Sequence, residues 1–410
     1  MPLLPALRCA GVLLAAAGLL RSQDAFSFRG FGTLAAARSS TDEAEYIRDV
    51  SQPRGVTRSP DLGLDSRLGV QVNLRLGGSW EAVAQGISRR RWDDTFRPEL
   101  TWAFLKWEAS EGITLRGGRL GFDVYLLADT RDVGYAHLWV RPPGEYFGGI
   151  PITSFDGADL VARRSMAGGL TSLKIFGGKA VGRIPTFAGE SFDLSASPLM
   201  GFHLDHHQDR WGFRLAASQL KFRREFGSLV DQLLAGLRDP LVATASPEAP
   251  GLAEELALTD KWIRYVSLGV EGNLGGIQLQ AGLSDARSQT PTLPRSVAGY
   301  LHMGHRLGAW TPYLLVAKVR TRTETRRTGL PSGPPFEALS AGVAALLDAN
   351  RNRQQSVALG LRWDLARNLC LKGQVDLLRD EEGANLLWWR PAPTWNGHAT
   401  VATLALDFVF

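Results

Sequence analysis

The chain carries two cysteines in 410 residues, and the first, Cys9, falls in a segment expected to be removed. That leaves Cys370 alone. A single thiol closes no internal disulfide, so an exported chain of this kind must be held by other means. Beyond the first 25 residues no stretch is apolar enough for a spanning helix, which needs roughly 20 consecutive apolar residues. Charge of one sign is also missing: 46 Lys and Arg face 41 Asp and Glu, a formal net charge of +5. The two signs are mixed along the chain, which excludes the clustered basic face of a nucleic-acid binder. No Pro- or Gly-rich linker divides the length, so residues 26–410 read as one domain too long for an average globular one.

What is present begins with a secretory signal over 1–25. Arg8 supplies the positive start, Cys9–Leu20 the apolar run, and Arg21 ends it. Cleavage is expected between 17 and 27, after Ala17 or Ala25. Removing Arg8, Arg21 and Asp24 lowers the net charge by one. At the other end Leu404, Leu406, Phe408 and Phe410 alternate with Thr403, Ala405 and Asp407. A period of two with one greasy face is a half-buried strand. Ending on it with an aromatic resembles the closing strand of Gram-negative outer-membrane β-barrels. By that resemblance Phe408 and Phe410 form the signal read by the barrel-assembly machinery.

The same alternation recurs. Strands are predicted at 28–38, 63–76, 78–89, 98–109, 111–118, 154–165, 169–178, 199–207, 210–223, 261–274, 276–286, 295–306, 309–322, 354–367, 369–380 and 398–410. The third, sixth and twelfth alternate poorly. In the second, Leu68, Val70, Val72, Leu74 and Leu76 oppose Arg67, Gln71, Asn73 and Arg75. In the fourteenth, Val357, Leu359, Leu361, Trp363 and Leu365 oppose Ser356, Ala358, Gly360, Arg362 and Asp364. About sixteen strands is an even number within the range of bacterial barrels.

Short turns, such as Gly77-Gly78 and Leu307-Gly308, take strict turns with longer connections at 39–62, 90–97, 119–153, 179–198, 224–260, 287–294, 323–353 and 381–397. Barrels of the outer membrane have short periplasmic turns and long external loops. A soluble β-sandwich has no reason to sort its loops this way. The fold class is therefore an all-β transmembrane antiparallel barrel. Strand one starts almost directly after the signal, which leaves no room for the plug of an energised receptor.

Residues 99–122, ELTWAFLKWEASEGITLRGGRLGF, resemble the fourth strand, turn and fifth strand of classical sixteen-stranded porins. In that family the third loop then folds back into the channel. Here 119–153 holds that position, and Pro143-Gly144-Glu145-Tyr146-Phe147-Gly148-Gly149 resembles the family's Pro-Glu-Phe-Gly-Gly stretch, with a Gly and a Tyr added. The resemblance implies Arg119 on the basic wall of the narrowing and Glu145 as its acidic partner. Asp123, Asp129, Arg131 and Asp132 are further candidates on the loop. Arg29, Arg67 and Arg163 extend the basic wall, and alternation adds Arg75, Lys174, Arg214, Arg362 and Lys372. Set against Glu271, Asp364, Asp376 and Asp407, that excess predicts a mild preference for anions.

His203, Asp205 and His207 share one strand face, but a polar lumen explains them as well as a metal does, and no metal or other cofactor is assigned. His302 and His305 could join a hydrolytic set on paper, yet no local signature supports one. Leu229–Leu237 and Leu339–Leu347 read as short helices over the external mouth. Trp80, Trp102, Trp107, Trp211, Trp262, Trp310 and Trp363 suit interface girdles, while Trp388-Trp389 lies in a loop, available to a solute or a neighbouring subunit. The expected function is a passive outer-membrane channel for small hydrophilic solutes and ions, embedded in lipid, without enzymatic chemistry or nucleic-acid partners. The resemblance implies a homotrimer. A channel selective for organic acids or sugars is the first rival. An outer-membrane barrel enzyme such as a phospholipase is the second.

Overall fold

The computed structural model describes residues 25–186, 189–322, 329–334, 336–385 and 387–410. The expected signal segment lies outside them, apart from Ala25. Sixteen antiparallel strands close into one barrel: β1 (Phe26–Ser39), β2 (Arg67–Gly77), β3 (Trp80–Arg89), β4 (Glu99–Ser110), β5 (Ile113–Gly121), β6 (Ser154–Met166), β7 (Gly169–Val181), β8 (Pro198–Gln208), β9 (Trp211–Lys221), β10 (Trp262–Leu274), β11 (Ile277–Ser288), β12 (Arg295–His305), β13 (Trp310–Arg322), β14 (Asn352–Ala366), β15 (Leu369–Asn385) and β16 (His398–Val409). Each pairs with its neighbours in sequence, and β1 pairs with both β2 and β16. Closure leaves no open edge, which a membrane would not tolerate.

Alternation decides which side chains meet lipid. In β14 Val357, Leu359, Leu361 and Trp363 are exposed outward, while Gln354, Ser356, Ala358 and Arg362 are buried inward. β16 keeps the same rule, with Thr403, Ala405 and Asp407 buried. Gly30 and Gly32 leave room on β1 for the closing aromatics. A Cβ on Gly30 would fall 2.1 Å from the Phe410 ring, and one on Gly32 would fall 2.3 Å from Phe408. Stacked pairs Trp80–Trp107 and Trp310–Trp363, with centroids 5.7 and 4.6 Å apart, lie outward at the short-turn end. Trp102 instead faces the lumen. β2 begins four residues later than predicted because Asp61 accepts from the Gly63 and Leu64 amides and holds that segment in a turn.

The long connections gather at one end. The loop between β5 and β6 folds into the lumen and carries a short helix, α1 (Gly144–Phe147). Among the described residues four more helices stand over the mouth: α2 (Ser228–Leu237), α3 (Pro240–Ala245), α4 (Ala249–Leu256) and α5 (Phe336–Ala349). They share a small apolar core around Leu234, Leu237, Leu256 and Val343. Trp388-Trp389 pairs with Glu45-Tyr46 as a two-stranded ribbon. Trp388 is thereby buried within the fold and gives its indole N–H to Gln354 at 2.8 Å.

Candidate functional site

The inward loop crosses the lumen and grips the wall on nearly every side. Val140 N and Arg141 N donate to Gln374 Oε1 on β15 at 2.8 and 3.3 Å. Lys372 Nζ donates to the carbonyls of Gly134 and Trp139, and Arg362 to those of Tyr135 and His137. On the other side Arg214 donates to Tyr125 O at 2.9 Å and Ser267 to Val124 O at 2.6 Å. Arg131 closes the base of the loop by donating to the carbonyls of Phe122 and Ile152. Its guanidinium lies over the Tyr125 ring. Carbonyls with no strand partner need such donors, and inward-facing cations supply them.

Among the described residues three adjoining spaces line the lumen. At the long-loop end lies a chamber of about 270 Å³ with aromatic and aliphatic walls, including Phe122, Tyr146, Phe192, Phe222 and Tyr265. Toward the short turns lies a polar chamber of about 410 Å³, lined among others by Asn73, Lys106, Arg116, Asp129 and Arg163. Between them is a waist of about 50 Å³ bordered by Arg48, Asp49, Arg89, Arg131 and Asp132. Ile150 and Pro151 border both the upper chamber and the waist. Arg131, Asp132 and Thr153 border both the waist and the lower chamber. The narrowing is built by two loops, since Arg48 and Asp49 come from the connection between β1 and β2.

A chain of alternating charge runs along the lower wall. Arg116 meets Asp159 at 2.6 Å, Asp159 meets Lys174 at 3.2 Å, and Lys174 meets Asp123 at 2.5 Å. Asp123 then meets His203 at 3.3 Å, His203 meets Asp205 at 2.8 Å, and Asp205 meets Arg214 at 2.5 Å. Burial alone would raise the Asp123 carboxyl, but Lys174 and His203 hold it well below the usual carboxylate range. His203 and Asp205 therefore serve the ion-pair chain. Above it, Arg141 binds Asp65 at 2.6 Å and Asp376 at 3.2 Å, and Arg48 reaches Asp65 at 2.6 Å.

Several expected residues stand elsewhere than the resemblance implies. Arg119 pairs across the sheet with Ala103 and shares the outward face of Leu105, Trp107 and Leu115. Its guanidinium holds Asp156 at 2.8 and 2.9 Å. Glu145 sits inside the barrel on α1, where Gln354 donates to its Oε1 at 2.8 Å while, among the described residues, Oε2 has no hydrogen-bond partner. Burial pushes its carboxyl above the usual range. The Arg119–Glu145 pair does not form. Strand parity explains the miss, since Arg116, facing Lys106 across the pair, is the inward arginine of β5. Asp129 is exposed in the lower chamber, and Asp132 holds Arg89 at 3.0 Å.

The eight basic residues of the wall all take inward positions, but half of them are matched by acids. Lys372 meets Asp407 at 2.8 Å and Arg362 meets Asp364 at 2.7 Å, besides the pairs of Lys174 and Arg214. Arg67 is buried near Asp65 and Asp132. Arg29, Arg75 and Arg163 are exposed toward the short-turn end. Counting cations therefore overstates the positive field. His302 is buried inward against Trp139, whereas His305 lies on the opposite face of β12. Sequence reasoning missed Arg48, Asp65, Arg141 and Asp159. Asp159 was open to the parity rule; the loop residues carry no periodic signal.

No known family profile matches the sequence, and no curated protein matches it. Solved structures do. The outer-membrane channel DcaP of Acinetobacter baumannii is 12% identical, with 95% of this chain and 99% of that one covered, at a TM-score of 0.57. OmpF of Salmonella typhi, solved in complex with daunomycin, is 10% identical over 94% of this chain and 97% of its own, at 0.55. An anion-selective porin from Comamonas acidovorans is 12% identical over 94% and 99%, at 0.53. Identities this low speak to architecture alone, and on that evidence the chain has the closed sixteen-stranded fold of the outer-membrane porins.

Proposed function

We propose that the protein is an outer-membrane channel through which small solutes and ions pass passively. The observation that carries this reading is the series of adjoining spaces through the lumen, upper chamber, waist and lower chamber, joined by shared lining residues. Passage down a gradient requires a polar path and a narrowing but no nucleophile. Between general diffusion and selective passage, the small waist and the apolar upper chamber favour selection. A solute must leave an apolar antechamber and pass a waist bordered by the interleaved charges of Arg48, Asp49, Arg89, Arg131 and Asp132. A mild anion preference is part of this reading and rests on the exposed lumen cations Arg29, Arg75 and Arg163. Export through the N-terminal signal and assembly as a homotrimer complete the reading, the latter resting on the resemblance.

Ile150 touches both the upper chamber and the waist, so it tests the path directly. Single-channel recording in planar bilayers should show discrete conductance steps for the wild type. Ile150→Gly should raise the conductance and Ile150→Trp should cut it several-fold. Identical steps in all three proteins would mean that ions do not take this route. Absence of any steps from correctly assembled protein would overturn the channel reading.

A further inference from the structure

The upper chamber differs from the rest of the lumen in its charge. Phe122, Phe192, Leu220, Phe222, Phe226 and Ile263 give it apolar walls, and among the described residues that line it Glu145 alone is charged. The lower chamber is lined by charges of both signs. Glu145 is 4% exposed, and its carboxylate is fixed from the wall. Trp388 gives its indole N–H to Gln354 Oε1 at 2.8 Å, and Gln354 Nε2 donates to Glu145 Oε1 at 2.8 Å. That leaves Glu145 Oε2 without a hydrogen-bond partner among the described residues. Oδ1 of Asn352, which lines the same chamber and is 3% exposed, is left in the same way.

Buried acceptors in an apolar enclosure define what it would hold. A buried carboxylate that lacks donors is costly when ionised. An ammonium supplies both the opposite charge and the donors, since it carries three N–H groups and no acceptor. The walls gain in turn from covering a hydrocarbon body. Volume bounds that body. An apolar cavity of about 150 Å³ accepts benzene, so the upper chamber, at about 270 Å³, has room for one ring with a short chain. An anionic amphiphile of the same size would bring its carboxylate to Glu145 and meet no cation in the described lining.

We propose that the upper chamber is a binding subsite for small aromatic amines, with the ring against its apolar walls and the ammonium on Glu145. The inference rests on the reading of these spaces as a solute path, and it names a class of solute for the first of them. Arg163 borders the lower chamber, beyond the waist, so preference among small ions is set elsewhere.

The test is titration calorimetry of the assembled protein in detergent at neutral pH with 2-phenylethylamine, its neutral counterpart 2-phenylethanol, and phenylacetate. The wild type should bind the amine roughly tenfold tighter than the alcohol, about the worth of one charge-assisted hydrogen bond, and phenylacetate more weakly than either. Glu145→Gln keeps the shape and should bring the amine down to the level of the alcohol. Ala286→Trp places bulk on the chamber lining and should abolish binding of the amine. Equal affinity for amine and alcohol in the wild type would overturn the proposal, and that comparison needs no variant to fold. So would a preference for the amine that survives Glu145→Gln, or amine binding that survives Ala286→Trp. Conductance steps in plain salt report on the channel separately. Steps without amine binding would remove the subsite and leave the channel, whereas amine binding without steps would do the reverse.

Discussion

Arg141 Nη2 donates to Asp65 Oδ2 at 2.6 Å and joins the inward loop to the segment that leads into β2. Both side chains are almost wholly buried, and Arg141 also meets Thr403 at 3.0 Å and lies over the Tyr46 ring. A paired buried charge is not strong evidence of stability, but removing one partner strands the other. Arg141→Ala is therefore expected to destabilise the barrel by about 3–5 kcal/mol and to free the loop. Lowered melting temperature together with noisier single-channel currents would show it. A stable variant with quiet currents would show that the loop is held by its other contacts.

The same pair predicts a response to acid. Burial alone would raise the Asp65 carboxyl, but Arg141 and Arg48 bring it down to about 2. A carboxyl depressed in the folded state binds its proton more readily when unfolded. Its stabilisation is therefore present above its unfolded value and is lost as pH falls toward 2. Melting curves from neutral pH downward should fall over that window, and Asp65→Asn should flatten the fall. An unchanged acid profile in Asp65→Asn would remove this carboxyl from the account.

Glu145 predicts the opposite sign. Its carboxyl is raised by burial, so the folded state holds the proton more firmly. Ionisation then costs stability as pH rises from the ordinary carboxylate range through the raised value. Glu145→Gln keeps the contact with Gln354 in outline and removes the charge. It should be more stable than the wild type at neutral pH and lose that advantage in mild acid. A variant less stable at neutral pH would mean that the ionised carboxylate is needed where it sits.

Closure at the C-terminus offers a separate test. Gly30 N donates to Phe410 O at 2.8 Å, and Phe410 N donates to Gly30 O at 2.9 Å. Deleting Phe410 removes both bonds and the ring that covers Gly30. Each lost hydrogen bond is worth about 1 kcal/mol net, so the assembled barrel should survive while its assembly slows. Pulse-labelled cells would show the unfolded form persisting; normal kinetics would deny Phe410 a role in assembly.

Much of the barrel was legible because its rule is local. Alternation at every second residue fixed the sixteen strands, and loop length fixed which end was which. Leu359 and Arg362 could be sent to opposite faces without knowing any partner. The narrowing was less legible. Arg48, Asp65 and Arg141 are 17 to 93 positions apart and meet only because two loops fold into one lumen. At Arg119 strand parity, and not the motif resemblance, sets which way the side chain points. Leu115 lies outward, and every second residue after it must do the same unless a bulge intervenes.

That parity yields the prediction on ion preference. Arg119 faces outward and is matched by Asp156, so its charge lies behind the barrel wall from the permeating ions. Arg163 faces the lower chamber and is exposed there. A charge acts on ions within about a Debye length, roughly 10 Å at 0.1 M salt. Arg163→Glu should therefore move reversal potentials toward cations in a dilute salt gradient, and the shift should shrink as salt rises. Arg119→Glu should leave the potentials where they were while weakening the outer rim, because Asp156 would then face a like charge. If Arg119→Glu shifts selectivity and Arg163→Glu does not, the permeation path runs somewhere other than through the lower chamber.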